Sequence, residues 1–144
     1  MTVHLIKLCV GVDRVDDLEH WIAQRQLVRL AAGEAPEQIH TTRMTPKRRD
    51  ELLDGGSLYW VIKGMVLARQ RIIDLRSVVT ADGISRCQIV MDPELVRTEA
   101  QPKRAFQGWR YLKASEAPRD LIALDGDDDL PPDFRRELAE LGLL

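Results

Sequence analysis

YWVIKGMVLARQRI, residues 59–72, decides how the chain is read. Leu58, Trp60 and Ile62 alternate with Tyr59, Val61 and Lys63, and the Lys63-Gly64 pair separates this arm from a second β-rich arm. Glycine at the second loop position admits positive φ, so the pair predicts a tight two-residue hairpin. The second arm runs to about Val79, the next turn falls at Ala81, Asp82 and Gly83, and ISRCQIVMD supplies a third antiparallel arm. A three-stranded meander is therefore expected at the centre of the fold. On the second arm Arg69 and Arg71 share a face with Met65 and Leu67, while Val66, Ala68, Gln70 and Ile72 make the other.

Working outward, VHLIKLCV near the start reads as a strand, and residues 13–32 read as an amphipathic helix. In that helix Val15, Leu18 and Ile22 recur at helical spacing, and Asp16, Asp17 and Glu19 suit the N-terminus. QIHTTRM predicts a short strand. Thr45 followed by Pro46 reads as an N-cap with proline at the first helical position, so PKRRDELLD predicts a short helix stopped by Gly55. Downstream, DPELVRTEAQP predicts one or two helical turns behind Pro93, and RAFQGWRYLK a late strand. SEAPRDLIAL suggests a short helix, GDDDLPP a solvated linker, and DFRRELAELGLL a C-terminal amphipathic helix opened by Pro131 and Pro132.

At 144 residues, 44% of them hydrophobic, the chain suits one core, expected over 1–114, with an acidic extension over 115–144. The net charge of -2 hides an asymmetry. From Glu116 onward nine acids face three bases, a net of -6, which leaves 18 bases and 14 acids, a net of +4, in the body. Cys9 and Cys87 lie in apolar runs far apart and without CxxC spacing, which fits a reduced protein with free thiols. The start has no basic segment ahead of its apolar stretch, and the longest run without a charged residue, GGSLYWVI over 55–62, is far too short to span a bilayer. A cytoplasmic protein is expected.

Motifs with a secure chemistry are missing. His4, His20 and His40 share no metal-ligand spacing, so neither a metal nor a cofactor is expected. The two cysteines read as core residues and not as nucleophiles. DGGS at 54–57 precedes a strand where a phosphate loop would open a helix, and the carboxylates at Asp125, Asp127, Asp128 and Asp129 lack the pattern of a calcium loop. The basic residues are more informative. Between 97 and 113, Arg97, Lys103, Arg104, Arg110 and Lys113 oppose only Glu99, and they flank Phe106, Trp109 and Tyr111. Cations attract phosphates and flat rings stack on unpaired bases, the composition that a single-strand site needs. The plainer reading buries Trp109 and Tyr111 in the fold and leaves the arginines solvated or paired with the acidic tail.

HTTRMTPKRRDELLDGGSLYWVIKGMVLARQRI, DPELVRTEAQPKRAFQGWRYL and VHLIKLCVGVD resemble a family of small bacterial proteins known as a domain of unknown function, over nearly the whole chain. That resemblance implies no chemistry and carries no functional residue. A helix running into a glycine turn, then a strand and hairpin of the form LYWVIKGMVLARQRI, also resembles the PUA-like pseudobarrels, compact β-barrels with flanking helices that often bind RNA or modified bases. The expected fold is α+β, a small, mainly antiparallel, barrel-like (PUA-like) sheet with flanking helices. The expected function is binding of nucleic acid, RNA or single strands, with Lys63, Arg69, Arg71, Lys103, Arg104 and Arg110 on phosphates and Trp109 as a stacking surface. The alternatives are a small enzyme using His40, Arg43 and Tyr59 in a cleft beside the sheet, or a protein-interaction adaptor.

Overall fold

The computed structural model describes residues 1–121. The predicted acidic linker and C-terminal helix lie outside the described residues. These residues fold as a mixed α/β domain with a seven-stranded sheet and two α-helices. In order these are β1 (Val3–Leu8), α1 (Val15–Ala31), β2 (Gln38–Thr42), α2 (Arg49–Leu53), β3 (Ser57–Ile62), β4 (Met65–Val79), β5 (Ser85–Met91), β6 (Val96–Pro102) and β7 (Trp109–Lys113). The pairing path is β2-β5-β4-β3-β1-β7, with β6 paired to β4 off this path. Among the described strand pairs, only β1 with β3 is parallel. A parallel pair needs a long crossover, supplied here by α1, β2 and α2.

The stretch at 59–72 is the hub of this sheet. Lys63 and Gly64 both take positive φ, 52° and 80°, the two-residue turn expected between β3 and β4. Every residue of β3 is buried, because strands flank it and both of its faces are covered. One face meets a core of Leu5, Leu58, Trp60, Ile62, Ala68, Ile72, Ile89 and Met91, closed by Val15, Leu18 and Ile22 of α1 and Leu52 of α2. The other face carries a smaller cluster of Ile6, Tyr59, Val61, Val66 and Leu112, with Phe106 and Ala117 packed on it.

A bulge at Leu67 changes the expected faces of β4. Val66 sits opposite Val61 and Ala68 opposite Trp60, so the extra residue turns Val66 to the smaller cluster while Ala68, Gln70 and Ile72 keep to the main core. Arg69, opposite Tyr59, therefore shares its face with Val66 and not with Leu67.

The sheet is not closed: β2 and β7 end the path, and among the described residues no strand pairing joins them. It is nonetheless strongly curled towards the main core. Two strands separate β2 from β3, which a flat sheet would hold roughly 14 Å apart, yet the rings of His40 and Trp60 meet edge to face at 5.5 Å. The two ends of the path are linked by side chains. Trp109 donates its indole N–H to the carbonyl of Met44 at 2.9 Å, and the Tyr111 hydroxyl accepts the backbone N–H groups of Lys47 and Arg48.

Those last bonds correct the expected start of α2. Had Thr45 been the N-cap, its hydroxyl would have accepted from the second or third helical N–H, those of Lys47 and Arg48. Tyr111 takes both, and the helix begins at Arg49. The helical turns expected in DPELVRTEAQP are corrected too. The Asp92 carboxylate accepts the N–H of Glu94 in a tight turn around Pro93, and the following residues pair with β4 as β6. The late strand is shorter than expected, opening at Trp109 after Gly108 at φ 68°.

Candidate ligand-binding site

The hollow of the curled sheet holds a cavity of about 510 Å³, within the range of small-molecule sites. β1 and the turn after it (Lys7 to Val12) form one wall, α1 the second through Asp17, Leu18 and Trp21, and Trp60, Gln70 and Met91 the floor, with Gln38 and His40 of β2 at the side. The floor is rigid. Fully buried Gln70 accepts the indole N–H of Trp60 at 2.9 Å and donates to the carbonyl of Asp92 at 3.0 Å, which fixes both its amide and the Trp60 ring.

Above the floor, several polar groups keep their hydrogen-bonding capacity. Among the described residues neither ring nitrogen of His40 is hydrogen-bonded, and Gln38, only 4% exposed, uses its carbonyl oxygen for Gln26 but finds no acceptor for its amide N–H groups. Burial, then the nearby Lys7 ammonium, push the His40 imidazolium down to about 4. At neutral pH the ring is therefore uncharged, one nitrogen donating and the other accepting. Burial pushes the Cys9 thiol up to about 11, so this wall cysteine is no thiolate near neutrality. Trp21 stands at the rim, 44% exposed, with the Arg25 guanidinium 4.9 Å from its ring centroid.

The same Leu8–Val12 segment also walls a groove containing Lys63, Gly64 and Lys103. Lys103 reaches it because its backbone N–H donates to the carbonyl of Gly64 at 2.9 Å. Lys103 and Arg110 both lie over the ring of Phe106, at 5.8 and 5.3 Å. Lys63, Lys103 and Arg110 thus form one cationic side, and Arg104, next to Lys103 in the sequence, is exposed. Lys63 also pairs with Asp13 at 3.0 Å, but both side chains are largely exposed, a weak pairing.

The remaining residues named from sequence lie elsewhere. Arg71 is exposed near the other end of the β3–β4 ladder, opposite Ser57. Arg69 is bound bidentately by Asp120, Nε to Oδ1 at 2.8 Å and Nη2 to Oδ2 at 2.7 Å. Trp109 does not stack beside Arg110. Opposite Lys7 on β1, it points to the main core, while Arg110, opposite Ile6, points to the other face. Its ring packs edge to face on Tyr111 at 4.9 Å. His40, Arg43 and Tyr59 do not form one cleft, since His40 lines the hollow, Tyr59 lies on the opposite face and Arg43 is exposed. Gln38, Trp21 and Lys7 were missed. Their signal was faint: a tryptophan at the edge of the α1 apolar stripe and a lysine inside an apolar strand.

Among the described residues no three His, Cys, Asp or Glu side chains gather as a metal site, and no helix is long and apolar enough to cross a membrane. Neither a curated protein nor a solved structure matches the chain. Residues 5–144 match one family model, and the chain belongs to that family, described as protein of unknown function (DUF1489).

Proposed function

We propose that this protein is a cytoplasmic binding module for single-stranded nucleic acid, RNA foremost, which lodges one unpaired base in the hollow of the sheet and carries the adjoining phosphates along the Lys63, Lys103, Arg104 and Arg110 side. The observation that carries the reading is the pairing of an apolar hollow, holding unpartnered neutral donors and an acceptor, with a lysine groove across the shared Leu8–Val12 wall. A nucleobase is flat, largely uncharged and edged with donors and acceptors, which is what neutral His40 and the Gln38 amide complement. Its phosphates need cations one nucleotide away, beside the hollow and not within it. The curl of the sheet, with a helix covering its concave face, also agrees with the PUA-like resemblance of its sequence.

Trp21 is the exposed ring best placed for stacking on an entering base, in the role the sequence suggested for Trp109. Fluorescence anisotropy with a labelled single-stranded RNA tests this. Trp21→Ala and His40→Ala should each weaken binding by about tenfold or more, stacking alone being worth about 1 to 3 kcal/mol per base. A duplex of the same sequence should bind more weakly, because its bases are stacked inside. Equal affinity of all three proteins would remove the hollow from the account.

A further inference from the structure

The face opposite the hollow carries a second cavity, of about 480 Å³, bordered by His4, Ser57, Tyr59, Arg69, Pro118 and Asp120. It draws its side chains from three adjacent strands, His4 from β1, Ser57 and Tyr59 from β3 and Arg69 from β4. The Ser57 backbone N–H donates to His4 Nδ1 at 3.0 Å, which makes that nitrogen the acceptor and leaves the ring proton on Nε2. Arg69 Nη1 donates to Ser57 Oγ at 3.0 Å, so the serine hydroxyl hydrogen is left to donate elsewhere.

His4 and Tyr59 are 9% and 4% exposed, yet neither His4 Nε2 nor the Tyr59 hydroxyl has a hydrogen-bond partner among the described residues. Buried polar groups are seldom left so. The cavity therefore gathers the Arg69 guanidinium and three neutral donors; Arg119, which also borders it, is largely exposed and pairs with Glu99 at 3.2 Å, and among the described residues the carboxylate that borders it is that of Asp120.

We propose that this cavity is a phosphate-binding site, and that Asp120 is a built-in competitor holding the place of the anion. A cluster of donors from three strands surrounds a tetrahedral oxyanion better than the single plane of a carboxylate, and a phosphate brings more charge to Arg69 than Asp120 does. Asp120 rides on a strap that is anchored independently of its side chain. Glu99 N–H donates to the carbonyl of Arg119 at 2.8 Å, Leu121 N–H to that of Arg97 at 3.0 Å, and Leu121 is buried. The carboxylate can thus swing off Arg69 while the strap stays in place. This site lies on the opposite face from the hollow and requires no nucleic acid.

The test is a calorimetric titration of the full chain with inorganic phosphate, at constant ionic strength. Asp120→Asn should bind at least tenfold tighter than the unaltered chain, and Tyr59→Phe added to it should lose most of that gain. In the unaltered chain, phosphate should shift the Arg69 Nε–H resonance, an arm that does not depend on the Asn variant folding, and sodium acetate should shift it far less. A resonance unmoved by phosphate, an equal response to acetate, or tightening on Asp120→Asn that is indifferent to Tyr59 would overturn the proposal.

Discussion

His40 on β2 meets Trp60 on β3 edge to face at 5.5 Å, although β5 and β4 lie between their strands in the sheet. This contact measures the curl that makes the hollow, and it places an uncharged imidazole against an apolar floor. Acid therefore strains the fold at this point. The imidazolium is held down to about 4, below its value of roughly 6.5 in an unfolded chain. Between those values the unfolded state binds the proton and the folded state does not, so stability is full above about pH 6.5 and is lost as pH falls towards 4. Allowing for the ring's partial contact with solvent, the loss should be roughly 2 kcal/mol. Urea unfolding at pH 7 and pH 4.5 checks this, and His40→Gln should shrink the difference. An unchanged difference in the variant would place the acid sensitivity elsewhere, His4 being the next group whose imidazolium burial disfavours.

Gln70 supports the same floor. Replacing it with leucine keeps the volume but leaves the Trp60 indole N–H and the Asp92 carbonyl without their partner. A loss of about 1 to 3 kcal/mol is expected in chemical denaturation. Stability equal to that of the unaltered chain would mean that water replaces the amide.

Gly56 precedes β3 where the backbone is crowded, and a Cβ built there would come within 2.3 Å of the Leu52 carbonyl oxygen and 2.5 Å of that of Val3. Gly56→Ala must push α2 or β1 aside, at a cost of about 1 to 3 kcal/mol. Gly64→Val acts differently. Space is open around Gly64, and the penalty comes from its positive φ, more than about 1 kcal/mol. Melting temperatures of the two variants test both, and a neutral Gly64→Val would refute the strain assigned to the turn.

Much of the fold was legible because local signals and tertiary demands agreed. Gly64 was expected to take positive φ and does so, with Lys63 beside it, and the alternating residues Leu58 to Ile62 are apolar on both sides because β3 is buried on both faces. Where the partner lay far off in sequence, local reading failed. Nothing in VRTEAQP announces that β4 waits to pair with it, and nothing near Thr45 announces that Tyr111 will take over its capping role. The candidate site divides in the same way. Lys103 lies beside Lys63 because it is bonded back to the hairpin turn, and it shares the Phe106 ring with Arg110. Trp109 and Arg110, adjacent in sequence, point to opposite faces by the alternation of a strand. The hollow itself draws on β1, α1, β2, β3, β4 and β5, and no single stretch could display it.

The central claim is that a base enters the hollow while phosphates pass over the lysine groove, and affinity for a single-stranded RNA oligomer across a salt series tests it most directly. For the unaltered chain log affinity should fall with log salt. Replacing Lys63 and Lys103 with alanine should flatten that slope by about 1.4. Trp21→Ala should lower affinity by about 1 to 3 kcal/mol and leave the slope unchanged, since stacking releases no counterion. No binding by the unaltered chain at low salt, or a slope indifferent to the two lysines, would contradict the account.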